Sequence, residues 1–229
     1  MDLSHSHRTF VLIPGAGGAA TWYWQRIAPL LTAAGHEAIS VDLLAEHASA
    51  GLPGYAKAVA GAIGGRRDVV LVAQSLGGFT GPLIAEQVPL SALVFVNAMI
   101  PVPGETAAAW WDNTGQPRAR MEAAEQGGYS GEFDLDTYFL HDVPESVTAA
   151  GRPDQHDEPD AVFEAPCAFT AWPDRPIRVV AGADDRFFPA GFQRRVARER
   201  LGIEADVLPG GHLMALSRPE PLARYLLEL

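Results

Sequence analysis

Val69-Val70-Leu71-Val72-Ala73 is apolar at every position, preceded only by the charged Asp68. A strand with one wet face alternates apolar and polar residues, so an unbroken run marks a strand buried on both faces, as in the middle of a parallel sheet covered by helices. Similar short runs recur along the chain with longer helix-like segments between them, the rhythm of βαβ units. The candidate strands are Thr9 to Ile13, Glu37 to Asp42, Asp68 to Ala73, Ala92 to Val96, Ile177 to Ala181 and Ala205 to Leu208. Apolar spacing and stop signals predict helices running through Ile27, Leu30 and Leu31 to Gly35, and from about Tyr55 to Ile63 before Gly64-Gly65. Further helices are expected from Leu76 to about Val88, near Ala190 to Leu201, and from Pro219 to Leu229.

The rhythm breaks over residues 101–172, which are rich in proline, glycine and acidic residues and contain no obvious parallel-sheet strand. Trp110, Trp111, Phe133, Tyr138, Phe139, Phe163, Phe169 and Trp172 supply too much apolar surface for a disordered tract. The segment is expected to form a mostly helical cap over the sheet. Residues 1–100 and 173–229 would then make one α/β core with a mainly parallel sheet of about six strands and helices on both faces. A chain of 229 residues with 48% apolar and 20% charged side chains suits a single globular unit of this kind.

Seventeen Lys plus Arg against 28 Asp plus Glu give a net charge of −11. That negative field disfavours nucleic acid and anionic membrane surfaces as partners. Cys167 is the only cysteine, so an internal disulfide is impossible and a reducing, cytoplasmic compartment is the simpler expectation. Its neighbours carry no signal of an activated thiol, and it reads as a packed small hydrophobe. Residues 1–8 lack the basic start and apolar stretch of a signal peptide. His5 and His7, the two histidines of that segment, read as solvated rather than as metal ligands. No apolar run approaches the roughly 20 residues that a membrane helix needs.

The chemistry-bearing residues follow the strands. Ala73-Gln74-Ser75-Leu76-Gly77-Gly78 comes directly after the most buried strand and opens a helix. A serine on such a sharp strand-to-helix turn is pushed out at the carboxyl end of the sheet, and the residues two before and two after it must be small. Ala73 and Gly77 meet that need, although Ala73 departs from the strict G-x-S-x-G pattern. The bland alternative is a serine N-cap on a buried helix. A serine nucleophile needs a base, and the base needs an acid to set its tautomer. His212, in Gly210-Gly211-His212-Leu213-Met214, follows the last strand and is the candidate base. Asp184 and Asp185 compete for the acid in the loop after the fifth strand. Asp185 is the choice, with Asp184 left to cap or brace the turn. Two backbone amides are candidate donors to a developing oxyanion: that of Leu76, at the start of the helix after Ser75, and that of Ala16 in Pro14-Gly15-Ala16-Gly17-Gly18. A dinucleotide site on that turn is disfavoured, because its glycines at 15, 17 and 18, with alanine at 20, miss the G-x-G-x-x-G spacing.

Taken together, these motifs resemble the α/β-hydrolase superfamily over Phe10 to Leu229, with the cap as the loosest part. The Pro14 to Gly18 turn followed by Trp22 and Trp24, the Ala-Gln-Ser-Leu-Gly-Gly elbow and the closing Gly-His-Leu-Met resemble, more narrowly, the plant methylesterase and hydroxynitrile-lyase branch and its bacterial relatives. The resemblance implies a six-stranded parallel sheet, Ser75, Asp185 and His212 as a triad, and the Ala16 and Leu76 amides as oxyanion hole. Two departures stand out. Pro14-Gly15 replaces the branch's frequent His-Gly, which leaves the backbone donor but changes the pocket wall. Leu213 occupies the place where lyase members carry lysine, which disfavours cyanohydrin cleavage.

The expected activity is hydrolysis of a small or medium hydrophobic carboxylic ester through an acyl-enzyme on Ser75, with no metal or organic cofactor. The aromatics of residues 101–172 would line an apolar pocket, or else form the cap's own core. Two alternatives stay open. The same triad could act on a lactone or a carbon–carbon bond, or in a cofactor-free elimination; or the fold could serve a non-catalytic ligand-binding protein.

Overall fold

The computed structural model describes residues 7–149 and 156–229; His5 lies outside them. The strands are β1 (Thr9–Ile13), β2 (Glu37–Ser40), β3 (Val69–Gln74), β4 (Ala92–Val96), β5 (Ile177–Gly182) and β6 (Asp206–Leu208). They form a six-stranded sheet in the order β2-β1-β3-β4-β5-β6, and every neighbouring pair is parallel. The doubly buried run of residues 69–73 therefore sits in the interior of the sheet, between β1 and β4.

Alternation along each central strand sends side chains to two separate cores. Val11, Ile13, Leu71, Ala73, Leu93 and Phe95 join one face. Phe10, Leu12, Val70, Val72, Val94 and Val96 join the other. Against the first face pack α4 (Gly51–Ile63), α5 (Gly77–Ala85) and α10 (Ala190–Leu201). Against the second pack α1 (Ala20–Tyr23), α2 (Ala28–Ala33), α11 (Met214–Ser217) and α12 (Pro219–Leu227). The short α3 (Ala45–Ala48) precedes α4. With both faces covered, each buried aliphatic contributes about 1.5–3 kcal/mol relative to exposure.

Several boundaries differ from the sequence expectation for identifiable reasons. The helix expected to run through Ile27 and Leu31 splits into α1 and α2, with Pro29 in the first turn of α2, where its missing N–H costs nothing. Helix α4 starts at Gly51 rather than near Tyr55, because Pro53 falls in its first turn and is tolerated there. Regular α5 spans Gly77–Ala85, three residues short of the expected end, although the Val88 amide still donates to the Ile84 carbonyl at 3.0 Å. Strand β2 ends at Ser40, and α11 is a helix that apolar spacing did not separate from its surroundings.

Between β4 and β5 the described residues add helices and no strand of the sheet. They are α6 (Ala107–Thr114), α7 (Gln116–Gly127), a π-helical turn (Asp136–Leu140), α8 (Glu145–Thr148) and α9 (Asp160–Glu164). An isolated antiparallel bridge between Thr106 and Pro166 brings the two ends of this insertion together. Glu105, 7% exposed, is held by Arg200 of α10 through both guanidinium nitrogens. Burial pushes its carboxyl up, but the Arg200 and Asn113 hydrogen bonds outweigh that, so its pKa lies below the usual glutamate value. Among the described residues, no helix is long and apolar enough to cross a membrane.

Candidate active site

In a fully parallel sheet all carboxyl ends lie along one edge, so the loops after β1, β3, β4, β5 and β6 meet there. Ser75, directly after β3, takes φ +49°, a left-handed conformation rare for a residue with a Cβ. Such strain costs on the order of 1–3 kcal/mol and persists only where the surroundings enforce it. Here the Ser75 carbonyl accepts from the Gly78 amide at 3.0 Å and the Met99 amide at 2.9 Å. A Cβ on Gly77 would collide with the Pro14 carbonyl, and one on Gly78 with the Met99 carbonyl. The small residue expected two positions after the serine is thus demanded by backbone approaching backbone.

Three distant side chains converge above this turn. His212 Nε2 lies 3.2 Å from Ser75 Oγ, and His212 Nδ1 lies 3.0 Å from Asp185 Oδ2. All three expected residues are brought together, and the competing aspartate is not among them. The Asp184 carboxylate instead accepts from the Gly210 amide at 3.2 Å, while its own amide donates to the Gly210 carbonyl at 3.0 Å, bracing the turn. Asp185 Oδ1 accepts from the Phe187 and Phe188 amides at 2.8 Å each. A carboxylate so surrounded by donors is acceptor-only, which assigns the proton to His212 Nδ1 and leaves the Nε2 lone pair facing the serine hydroxyl. Gln74 Nε2, at 3.4 Å from His212 Nε2, reaches the same lone pair.

The imidazole is 1% exposed and caged by aromatic rings. Phe139 stacks on it at 4.6 Å between centroids, and Phe188 meets it edge-on at 5.0 Å. Phe139 belongs to the π-helical turn of the insertion, a geometry often found at functional sites.

Two supports were not singled out from sequence. Asn97 follows β4 with φ +46° and is fully buried. Its Nδ2 donates to the carbonyls of Gly211 and His212 at 2.9 and 3.1 Å, and its Oδ1 accepts from the Gly182 amide at 2.7 Å. One side chain therefore stitches the loop of His212 to the strand that precedes Asp185. Gln193 of α10 places its Nε2 2.7 Å from the Phe188 carbonyl and 3.2 Å from Asp185 Oδ2. The only sequence signal for Asn97 is a polar residue ending an all-apolar strand at the carboxyl edge.

Ser75 and His212 open onto a cavity of about 530 Å³. Ala16 and Leu76 line it, and among the described residues neither backbone amide has a hydrogen-bond partner, so both remain free to donate. Gly15 packs so tightly on the serine that an added Cβ would lie 2.7 Å from Ser75 Cβ. The next amide, that of Gly17, is occupied by the Glu158 carboxylate at 2.9 Å, an arrangement that would repel a phosphate on this turn. The aromatics of the insertion divide. Trp111, Phe133, Phe139 and Phe163 line the cavity, whereas Trp110, Tyr138 and Phe169 are buried core residues. Cys167 is fully buried, donates its thiol hydrogen to the Phe79 carbonyl at 3.1 Å, and is pushed by burial up to about 12, far from a reactive thiolate.

A parallel sheet in this strand order, with a strained serine after its third strand and a histidine after its last, defines the class as an α/β hydrolase. The chain belongs to the alpha/beta hydrolase family, whose model matches residues 10–225. It is 24% identical to norfluorocurarine synthase 1 of Strychnos sp, with 96% of this chain and 94% of that protein aligned. It is 26% identical to methylesterase 7 of Arabidopsis thaliana, covering 98% of this chain and 97% of that one. The crystal structure of a pyrethroid hydrolase from Sphingobium faniae JZ-2 superposes with a TM-score of 0.76 at 21% identity, over 97% of each chain, a likeness of fold.

Proposed function

We propose that the protein is a serine hydrolase that cleaves a small or medium hydrophobic carboxylic ester through an acyl-enzyme on Ser75. The hydrogen-bonded series Ser75, His212, Asp185 at the base of an aromatic-lined cavity carries this reading. As Ser75 Oγ bonds to the ester carbonyl carbon, its proton passes to His212 Nε2, and Asp185 stabilises the imidazolium. The carbonyl oxygen gains the negative charge and takes the Ala16 and Leu76 amides as donors, which are preorganised and unoccupied. When the tetrahedral adduct collapses, the carbon–oxygen bond to the alcohol breaks and His212 returns the proton to the leaving oxygen. Water, deprotonated by the same imidazole, then releases the acid and restores Ser75.

Esterase names among the relatives support the ester as substrate class, methylesterase 7 over nearly the whole chain. The cavity volume lies in the range of small-molecule sites, and the rings of Trp111, Phe139 and Phe163 favour an uncharged, apolar acyl or alcohol group. Residues 101–172 are read as the cap that forms this wall. The single buried thiol fits a reducing, cytoplasmic setting. A second use of the triad, on a bond other than an ester, is favoured by one observation, the synthase name of a relative aligned over 96% of the chain.

A fluorophosphonate probe tests the reading. The protein should label at Ser75, and Ser75→Ala should lose both the label and about a million-fold in turnover of p-nitrophenyl esters, the scale seen when a triad nucleophile is removed. A wild-type chain that takes no label is a binding protein, and the proposal is then wrong. Labelling with turnover of lactones alone, or of neither esters nor lactones, moves the assignment to the second use.

A further inference from the structure

Glu158 occupies the catalytic cavity without a part in the steps above. Its side chain is only 4% exposed, although the residue belongs to the cavity wall. The carboxylate accepts from the Gly17 amide at 2.9 Å through Oε1 and from the Tyr55 hydroxyl at 2.7 Å through Oε2. Tyr55 Oη is also 2.9 Å from His156 Nε2, and that nitrogen is 3.7 Å from Glu158 Oε1. Removing a carboxylate from water is costly unless donors replace the lost hydration, and charge-assisted bonds from an amide and a phenol do so.

The amide held this way belongs to the residue after Ala16. Gly17 and Gly18 have φ of +87° and +75°, so this stretch is glycine backbone with little conformational restraint of its own. Its internal Gly18 N–H to Gly15 carbonyl bond is stretched to 3.5 Å, at the limit for such a bond. The far end is anchored by the Leu43 amide donating to the Gly18 carbonyl at 2.9 Å. Between Gly15, pressed on the serine, and Gly18, tied to Leu43, the restraint on the intervening peptides comes from Glu158, 141 residues away.

We propose that Glu158 is a positioning residue. It clamps the Pro14 to Gly18 turn so that the Ala16 N–H stays aimed at the oxyanion, with Tyr55 and His156 fixing the carboxylate in turn. The proposal rests on the reading of Ser75 as nucleophile and Ala16 as oxyanion donor. A clamp of this kind acts on the transition state more than on the bound ester, so it belongs to kcat rather than KM.

The test compares Glu158→Ala, Glu158→Gln and Tyr55→Phe in the full chain, measuring kcat and KM on p-nitrophenyl butyrate, the rate of fluorophosphonate labelling, and thermal melting. Glu158→Ala should lower kcat by about 10–100-fold, less than outright loss of an oxyanion donor, with KM within about threefold. Labelling should slow in parallel, since the probe's phosphoryl oxygen uses the same donors. Glu158→Gln keeps an acceptor for the Gly17 amide and should recover most of the loss, while Tyr55→Phe, which removes one restraint, should cost about threefold in kcat. An unchanged kcat in a folded Glu158→Ala overturns the clamp, as does a loss confined to KM. Should that variant fail to fold, an unchanged kcat in a folded Tyr55→Phe overturns it equally. Turnover that survives Ser75→Ala is a separate failure, that of the nucleophile assignment.

Discussion

The floor of the cavity and its roof are built by different means. On the floor, Ser75 is held in its strained turn by backbone: its carbonyl takes two amides, and the Gly77 and Gly78 positions leave no room for a side chain. The roof, contributed by the insertion between β4 and β5, is tied down by side chains. Glu105 pairs with Arg200, Gln116 Nε2 donates to the Phe187 carbonyl at 2.6 Å, and Asp142 accepts from the Gly211 amide at 2.7 Å. Phe133 and Leu135 line the cavity while remaining 51% and 40% exposed. Backbone-enforced geometry survives most substitutions around it, whereas a wall of side chains changes with each one. Under the proposed function, the floor is suited to hold the chemistry and the roof to select what reaches it.

That division makes sharp demands. The largest effect belongs to the floor: Asp185→Asn should lower kcat about 10⁴-fold by upsetting the tautomer of His212, while Asp184→Asn should cost no more than about tenfold, since it only braces a turn. Steady-state kinetics on both variants checks this, and the reverse ranking breaks the assignment of the acid. An intermediate effect belongs to the roof. Phe139→Ala removes the ring stacked on His212 and part of the apolar wall, and should lower kcat/KM for a bulky aromatic ester by about tenfold. A short acetate ester should suffer less, and an equal loss on both would mean that Phe139 serves the base rather than selection.

The smallest effect on turnover is expected at the hinge of the two regions. Because the folded-state pKa of Glu105 is depressed, its stabilising contribution is full above the ordinary glutamate range and fades as pH falls through the lower folded value. Melting curves of the wild type should thus lose ground in acid below about pH 4. Glu105→Gln should flatten that acid slope and destabilise the fold at neutral pH by about 3–5 kcal/mol, the usual penalty for breaking a buried pair. Turnover at a temperature where the variant stays folded should be unaltered, and a large kcat loss there would show that roof and floor are not separable.

Hydrophobic patterning made much of the scaffold readable in advance. The bounds of β1 and β4 coincide with the apolar runs, because covering a parallel sheet on both faces leaves central strands almost no polar positions, and α10 spans the expected helix. The convergence of Ser75, His212 and Asp185 was legible because chain order and small flanking residues are local requirements of the turn after each strand. Asn97, Tyr55 and Glu158 were not, since each is defined by a partner far along the chain that no local pattern announces; nor was Gln193, defined through Asn97, 96 positions away, whose Oδ1 accepts from its Nε2 at 3.1 Å. The same holds for the aromatics of residues 101–172, which look alike in one dimension and then separate, Trp110 into the core and its neighbour Trp111 into the cavity.

By itself, the sequence determined which stretches become strands, that the sheet is parallel, and which serine, histidine and aspartate follow their ends, because these rest on periodicity and on steric needs within a few residues. Tertiary structure alone decided which polar groups brace Asp185 and His212, which rings face the cavity, and that a glutamate from the insertion bonds to the turn after β1. Hydrogen bonds between residues over 80 positions apart, and the stacking of Phe139 on His212, exist only once the chain has closed on itself.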